Sequence, residues 1–169
     1  DLLTDGMLIY GVSSDDAHHF QKLGPEHSNP GRGWVMVQAD SLTPDAISEA
    51  MYRGDFYATS GVMLSKASID GRRISVVVDE GATEGELSSS FVVGHVTAEG
   101  AEGVSIQFIG PKGRVLEAVE GAKASYLVSN EHGYVRAKVT YSRKGENGYE
   151  NFYAWMQPVF TDGRTHFVK

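Results

Sequence analysis

The sequence predicts an α/β segment followed by an all-β, antiparallel sandwich of immunoglobulin-like kind, with residues 1–61 forming the first part and 62–169 the second. Three observations carry this. Before Gly61, short continuous apolar runs bracket a helix with its own start and stop signals. After Gly61, apolar residues recur at every second position, the period of a half-buried strand. The chain also holds 20 glycines in 169 residues, a frequency that suits many tight turns between short strands.

In chain order, Met7-Leu8-Ile9-Tyr10-Gly11-Val12 is an unbroken apolar run of the length expected for a strand buried on both faces. A Gly- and Pro-containing loop from about Gln21 to Gly33 leads to a second strand, Trp34-Val35-Met36-Val37-Gln38-Ala39. Thr43 then stands as an N-cap, Pro44 as the first helical residue, Asp45 as the acid of the first turn and Gly54 as the stop. Ile47, Ala50 and Met51 share one face of that helix, and Phe56-Tyr57-Ala58-Thr59 reads as a closing strand. Beyond Gly61, Ile74, Val76 and Val78 alternate with polar or exposed positions; so do Val104, Ile106 and Phe108, and Val135, Ala137, Val139 and Tyr141. Turn signals at Asp70-Gly71, Gly110–Gly113, Asn130–Gly133 and Lys144–Gly148 punctuate about eight strands with no helix among them. Pro158 cannot donate to a ladder, so the last strand run should break there or lie at an edge.

Composition narrows the function. Apolar residues make up 41% and charged residues 22%, values of a chain that buries a core. Net charge is −7, and residues 1–61 hold 3 Lys/Arg against 9 Asp/Glu. That balance repels phosphate backbones and anionic bilayers, so neither nucleic acid nor membrane is an expected partner. The absence of cysteine excludes disulfides, thiolate metal sites and cysteine nucleophiles. The opening Asp1-Leu2-Leu3-Thr4-Asp5-Gly6 has neither an initiator Met nor the pattern of a signal peptide, and the expectation is a piece of a longer protein.

One stretch carries chemistry: Ser13-Ser14-Asp15-Asp16-Ala17-His18-His19, placed just after the first apolar run. If the chain stays extended there, Asp16 and His18 project to one side and Asp15 and His19 to the other. A carboxylate beside an imidazole suits a divalent metal such as Zn, Mn or Fe, and Asp15 or His19 would stand behind the ligands, orienting an imidazole through its other nitrogen. Two donors do not make a site. His95, His132 and His166 are isolated in the second part. The same residues also read as a polar turn with Asx-type hydrogen bonds, with the histidines incidental.

The run from Tyr10 to Phe20, then Gly31-Arg32-Gly33-Trp34-Val35-Met36-Val37 and Phe56-Tyr57-Ala58-Thr59-Ser60-Gly61, resembles the C-terminal part of the polymerase-and-histidinol-phosphatase (PHP) metallohydrolase superfamily, closest to its CehA/McbA-type branch. Gly133-Tyr134-Val135-Arg136 and Ala154-Trp155-Met156-Gln157-Pro158 are similar to the β-rich region that often follows in that branch. The resemblance implies that residues 1–61 are the end of a distorted β/α barrel and that Asp16 and His18 are the family's late Asp-x-His metal ligands. It also implies a phosphoester or similar ester as substrate, cleaved by metal-activated water. The family's early His-x-His motif and its other ligands have no counterpart here, so the implied partner is an N-terminal barrel portion, and this chain alone is expected to be catalytically incomplete.

Other residues have a functional and a plain reading. Arg32, between Gly31 and Gly33, suits an anionic substrate or simply solvent. His27 reaches toward the metal region or is exposed. Thr59-Ser60 lines a pocket or joins the two parts. Trp34, Trp155, Tyr134, Tyr149 and Tyr153 form a sugar-binding platform or pack across strands. The competing function is a carbohydrate- or protein-binding sandwich without catalysis.

Overall fold

The computed structural model describes residues 2–24, 26–89 and 91–162. Eleven strands and two α-helices are assigned among them: β1 (Trp34–Val37), α1 (Pro44–Arg53), β2 (Phe56–Thr59), β3 (Leu64–Asp70), β4 (Arg73–Val78), α2 (Glu80–Leu87), β5 (His95–Thr97), β6 (Gly103–Ile109), β7 (Val115–Glu120), β8 (Lys123–Leu127), β9 (Tyr134–Gly145), β10 (Gly148–Met156) and β11 (Val159–Phe160). The strands form two antiparallel sheets. The larger runs β1-β2-β10-β9-β6-β7, with β5 added to β10 and β11 to β9; the smaller runs β3-β4-β8.

The period-two positions explain why the sheets stack. Ile74, Val76 and Val78 on β4 and Ala124 on β8 point from the small sheet into one core. From the large sheet it receives Val104, Ile106 and Phe108, Val135, Ala137 and Val139, and Phe152, Ala154 and Met156. A one-residue slip in any of these strands would turn its apolar set to solvent, so burial fixes the register. The sandwich is therefore as expected, and Pro158 separates β10 from β11 as its missing N–H requires.

Two glycines let the chain change sheets. Between β2 and β3, Gly61 has φ 128, and a Cβ there would meet Leu87 Cδ2 at 2.5 Å and Val92 Cγ1 at 3.0 Å. Gly121, φ 119, does the same between β7 and β8. Both backbones lie in the region that L side chains resist.

The large sheet crosses residue 61. β2 pairs with β10 through Thr59↔Ala154, Ala58↔Trp155 and Tyr57↔Met156, while β1 pairs antiparallel with β2. α1 forms as its signals predict. Thr43 Oγ1 accepts from Ala46 N at 3.3 Å, and Gly54, φ 80, donates its N–H back to Met51 O at 3.1 Å.

Three expectations are corrected. The run Met7–Val12 is not a strand, because no neighbouring backbone forms a ladder with it. A side-chain amide takes the place of a strand: Gly11 N donates to Gln157 Oε1 and Gln157 Nε2 donates to Gly11 O, both at 2.9 Å. The second part does contain a helix. α2 carries Gly81 and Gly85, which depress helix propensity, yet Asp79 Oδ1 caps Ala82 N at 2.9 Å and buried Thr83 accepts from Met63 N at 3.0 Å. The β3–β4 loop is Gly71-Arg72, one place beyond the expected Asp70-Gly71, because Asp70 pairs with Arg73.

Candidate functional site

Residues 13–33 fold onto themselves around one buried amide. Asn29 is 2% exposed; its Oδ1 accepts from Gly24 N at 2.9 Å, and its Nδ2 donates to His19 O at 2.7 Å and to Lys22 O at 2.9 Å. Ser28 O accepts from both His18 N (2.9 Å) and His19 N (3.0 Å). Arg32 donates through one terminal nitrogen to Gly24 O (2.8 Å) and His27 O (2.7 Å). Each of these polar contacts replaces backbone partners that a loop would otherwise find in water. At the mouth of the loop Gly33 packs on the Ser13 hydroxyl, which a Cβ there would displace, and that Cβ would lie 3.2 Å from Ser14 O.

On this frame sit the Asp-x-His residues. Asp16 is exposed and has φ 47, one of two non-glycine residues described with positive φ. The extended alternation expected from the sequence therefore ends at Asp16. Ser14 Oγ accepts from Asp16 N at 3.3 Å, a local turn that holds the residue there. What joins the pair is a contact from His18 Nδ1 to the Asp16 backbone oxygen. A carbonyl only accepts, so Nδ1 is the ring nitrogen that donates; in the neutral imidazole that arrangement leaves the Nε2 lone pair for a metal or proton donor. The orienting acceptor is thus a backbone carbonyl. Asp15 serves the loop: its Oδ2 accepts from Gly31 N at 2.8 Å.

His19 is exposed, and its ring lies against that of His27, centroids 4.9 Å apart and tilted by 30°. His132 sits by Tyr126, with Nδ1 3.4 Å from the phenolic oxygen, and His95 lies on β5; His166 is outside the described residues. No group of three or more His, Asp or Glu side chains that could hold a metal occurs among the described residues. A carboxylate and an imidazole are the donor types that Zn, Mn or Fe take, but a protein site needs three or four such donors, and among the described residues no third one groups with Asp16 and His18. The Arg32 guanidinium binds loop carbonyls and so acts as part of the frame.

Beside the loop, between residues 3–13 and the outer face of β2, β9 and β10, lies a cavity of about 370 Å³. Ala58, Trp155, Tyr153 and Ser60 line it from the sheet, and Ile9, Gly11, Val12 and Ser13 line it from the N-terminal segment. Arg136 at its side stacks on the Trp155 ring at 4.5 Å, and Lys138 lies 4.6 Å over Tyr153 and 5.3 Å over Trp155. Burial pushes the Lys138 ammonium below the ordinary lysine pKa. Sequence reasoning allotted Trp155 and Tyr153 either to a platform or to packing across strands. The structure turns both to the outer face, half-buried under cations, while Tyr134 is buried and Trp34 packs on the core. Thr59 joins the two parts: its hydroxyl lies 2.8 Å from Val62 O and 3.1 Å from Tyr153 O and accepts from Gly61 N at 3.0 Å.

Comparison with family models, with curated proteins and with solved structures finds no match to this chain.

Proposed function

We propose that this chain is the C-terminal part of a divalent-metal-dependent hydrolase of phosphoesters or similar esters. In that reading residues 1–61 are the end of a PHP-like barrel joined to an immunoglobulin-like sandwich, and Asp16 and His18 are two of the metal ligands. The observation that carries it is the His18 Nδ1 contact to the Asp16 carbonyl: in the neutral ring it leaves Nε2 to ligate, on an exposed residue two positions from an exposed carboxylate in a loop braced by Asn29 and Arg32. Holding Asp16 at positive φ costs on the order of 1 kcal/mol, strain of a kind that clusters at functional sites.

A second feature supports a partner on this side of the molecule. Leu2, Met7, Val12, Phe20 and Leu23 are each more than half exposed in the first 23 residues. In this reading a barrel portion would cover them and supply the remaining donors. The alternative of an open sugar-binding platform is weakened because Trp155 and Tyr153 are half-buried and share their cavity with Ile9, Gly11, Val12 and Ser13.

The test pairs this chain with an N-terminal barrel portion in one longer polypeptide. Metal content by mass spectrometry and hydrolysis of p-nitrophenyl phosphate esters are then measured for the parent, Asp16→Ala and His18→Ala. The parent should retain metal and turn over, and each variant should lose at least one metal equivalent and most activity. A parent that stays metal-free and inert, or variants that match an active parent, would overturn the proposal.

A further inference from the structure

We infer that the cavity under residues 3–13 is a binding site for a small aromatic anion, with Arg136 as its charge partner and Trp155 and Tyr153 as its ring-binding walls. Arg136 is half-buried, and its Nε is buried with no hydrogen-bond partner among the described residues. Among those residues no carboxylate forms an ion pair with that guanidinium, which lies over the face of Trp155. A buried donor of this kind is unfavourable unless something accepts from it, and the fork of a guanidinium matches the two oxygens of a phosphate or carboxylate.

Position strengthens this. Arg136 and Lys138 project from alternate residues of β9 on the same face, and Lys138 stands directly across from Trp155 in the register. Two cations therefore flank one indole, and the adjoining cavity has no acid among its lining residues. On the other side of β10, Trp155 faces Ala58. That small side chain leaves open the space a larger residue would fill. A volume of about 370 Å³ suits one aromatic ring with its anionic group.

The site uses neither Asp16 nor His18, so it does not depend on the metal reading and is tested on the chain as it stands. Isothermal titration calorimetry is run with phenyl phosphate, phenol and inorganic phosphate. Phenyl phosphate should bind saturably with one site per chain, and the other two at least tenfold more weakly. Arg136→Gln should weaken phenyl phosphate at least tenfold. Ala58→Met, which leaves the cation in place and fills the space beside Trp155, should abolish binding while the circular dichroism spectrum stays that of the parent. That second variant decides the matter if Arg136→Gln fails to fold. The inference is overturned if the folded parent gives no saturable heat with phenyl phosphate, if phenol or inorganic phosphate binds equally well, or if a folded variant binds like the parent.

Discussion

Replacing Gln157 by Met isolates the device that holds the N-terminal segment to the sandwich. Met keeps nearly the same volume but can make neither hydrogen bond to Gly11. Gln157 is 4% exposed, whereas Gly11 is exposed, so the freed Gly11 groups are rehydrated and the loss is that of two ordinary bonds. At about 1 kcal/mol each, this is about 2 kcal/mol, or about a 30-fold rise in the opening equilibrium of the segment. The loss should stay local. Tyr10 still packs edge-on against Phe56 at 6.0 Å and donates to Arg53 O at 3.1 Å, and no ladder bond of the sheets involves Gly11. Hydrogen exchange read by mass spectrometry should therefore accelerate in peptides covering residues 7–13 by about that factor, with β6 and β9 unchanged. Parent-like exchange in residues 7–13, or equal acceleration in the core strands, would refute the view that one side-chain amide replaces a strand partner.

Two further outcomes follow from named contacts. Asn29→Asp forfeits both donations to His19 O and Lys22 O and sets a carboxylate against those carbonyls. It should destabilise the loop by about 2 kcal/mol or more, seen as at least about tenfold faster limited proteolysis within residues 17–30; an unchanged cleavage rate would contradict the hub role. Burial raises the Tyr57 pKa above 10.0, opposed by its hydrogen bond from Leu64 N, and burial likewise raises Tyr10, Tyr126 and Tyr141. The folded state then keeps phenolic protons that the unfolded chain loses first. This stabilisation is complete below pH 10 and falls as pH rises through the folded values. Lys138, shifted downward, acts in the opposite sense. Denaturant midpoints from pH 8.5 to 11 should decline, and Tyr57→Phe should flatten the decline even though it lowers the starting value.

What the sequence made legible were features whose cause is local or periodic. The cap residues Thr43, Pro44 and Gly54 mark α1 without reference to anything distant, and the alternation in β4, β6 and β9 follows from having one buried face. The strand at Met7–Val12 was misread because strand status depends on a neighbour, and nothing in an apolar run says whether one exists. α2 was missed because its glycines mask a helix held by Asp79 and by Thr83 packing on Met63. At the candidate site, residue types and spacing singled out Asp16 and His18, but the His18 Nδ1 contact and the engagement of Arg32 depend on how the loop closes. The Arg136–Trp155–Lys138 stack was invisible for a similar reason, since it exists only in the register of β9 against β10.

The pairing of β2 with β10 has a practical meaning for anyone dissecting the molecule. Thr59 and Tyr153 stand 94 positions apart and yet touch, so a polypeptide beginning at Gly61 would strip β10 of its neighbour along Ala154 to Met156. Bare amides and carbonyls would then line the rim beside Trp155, an invitation to recruit another copy edge to edge. A sandwich with that rim covered must accordingly carry β2 with it.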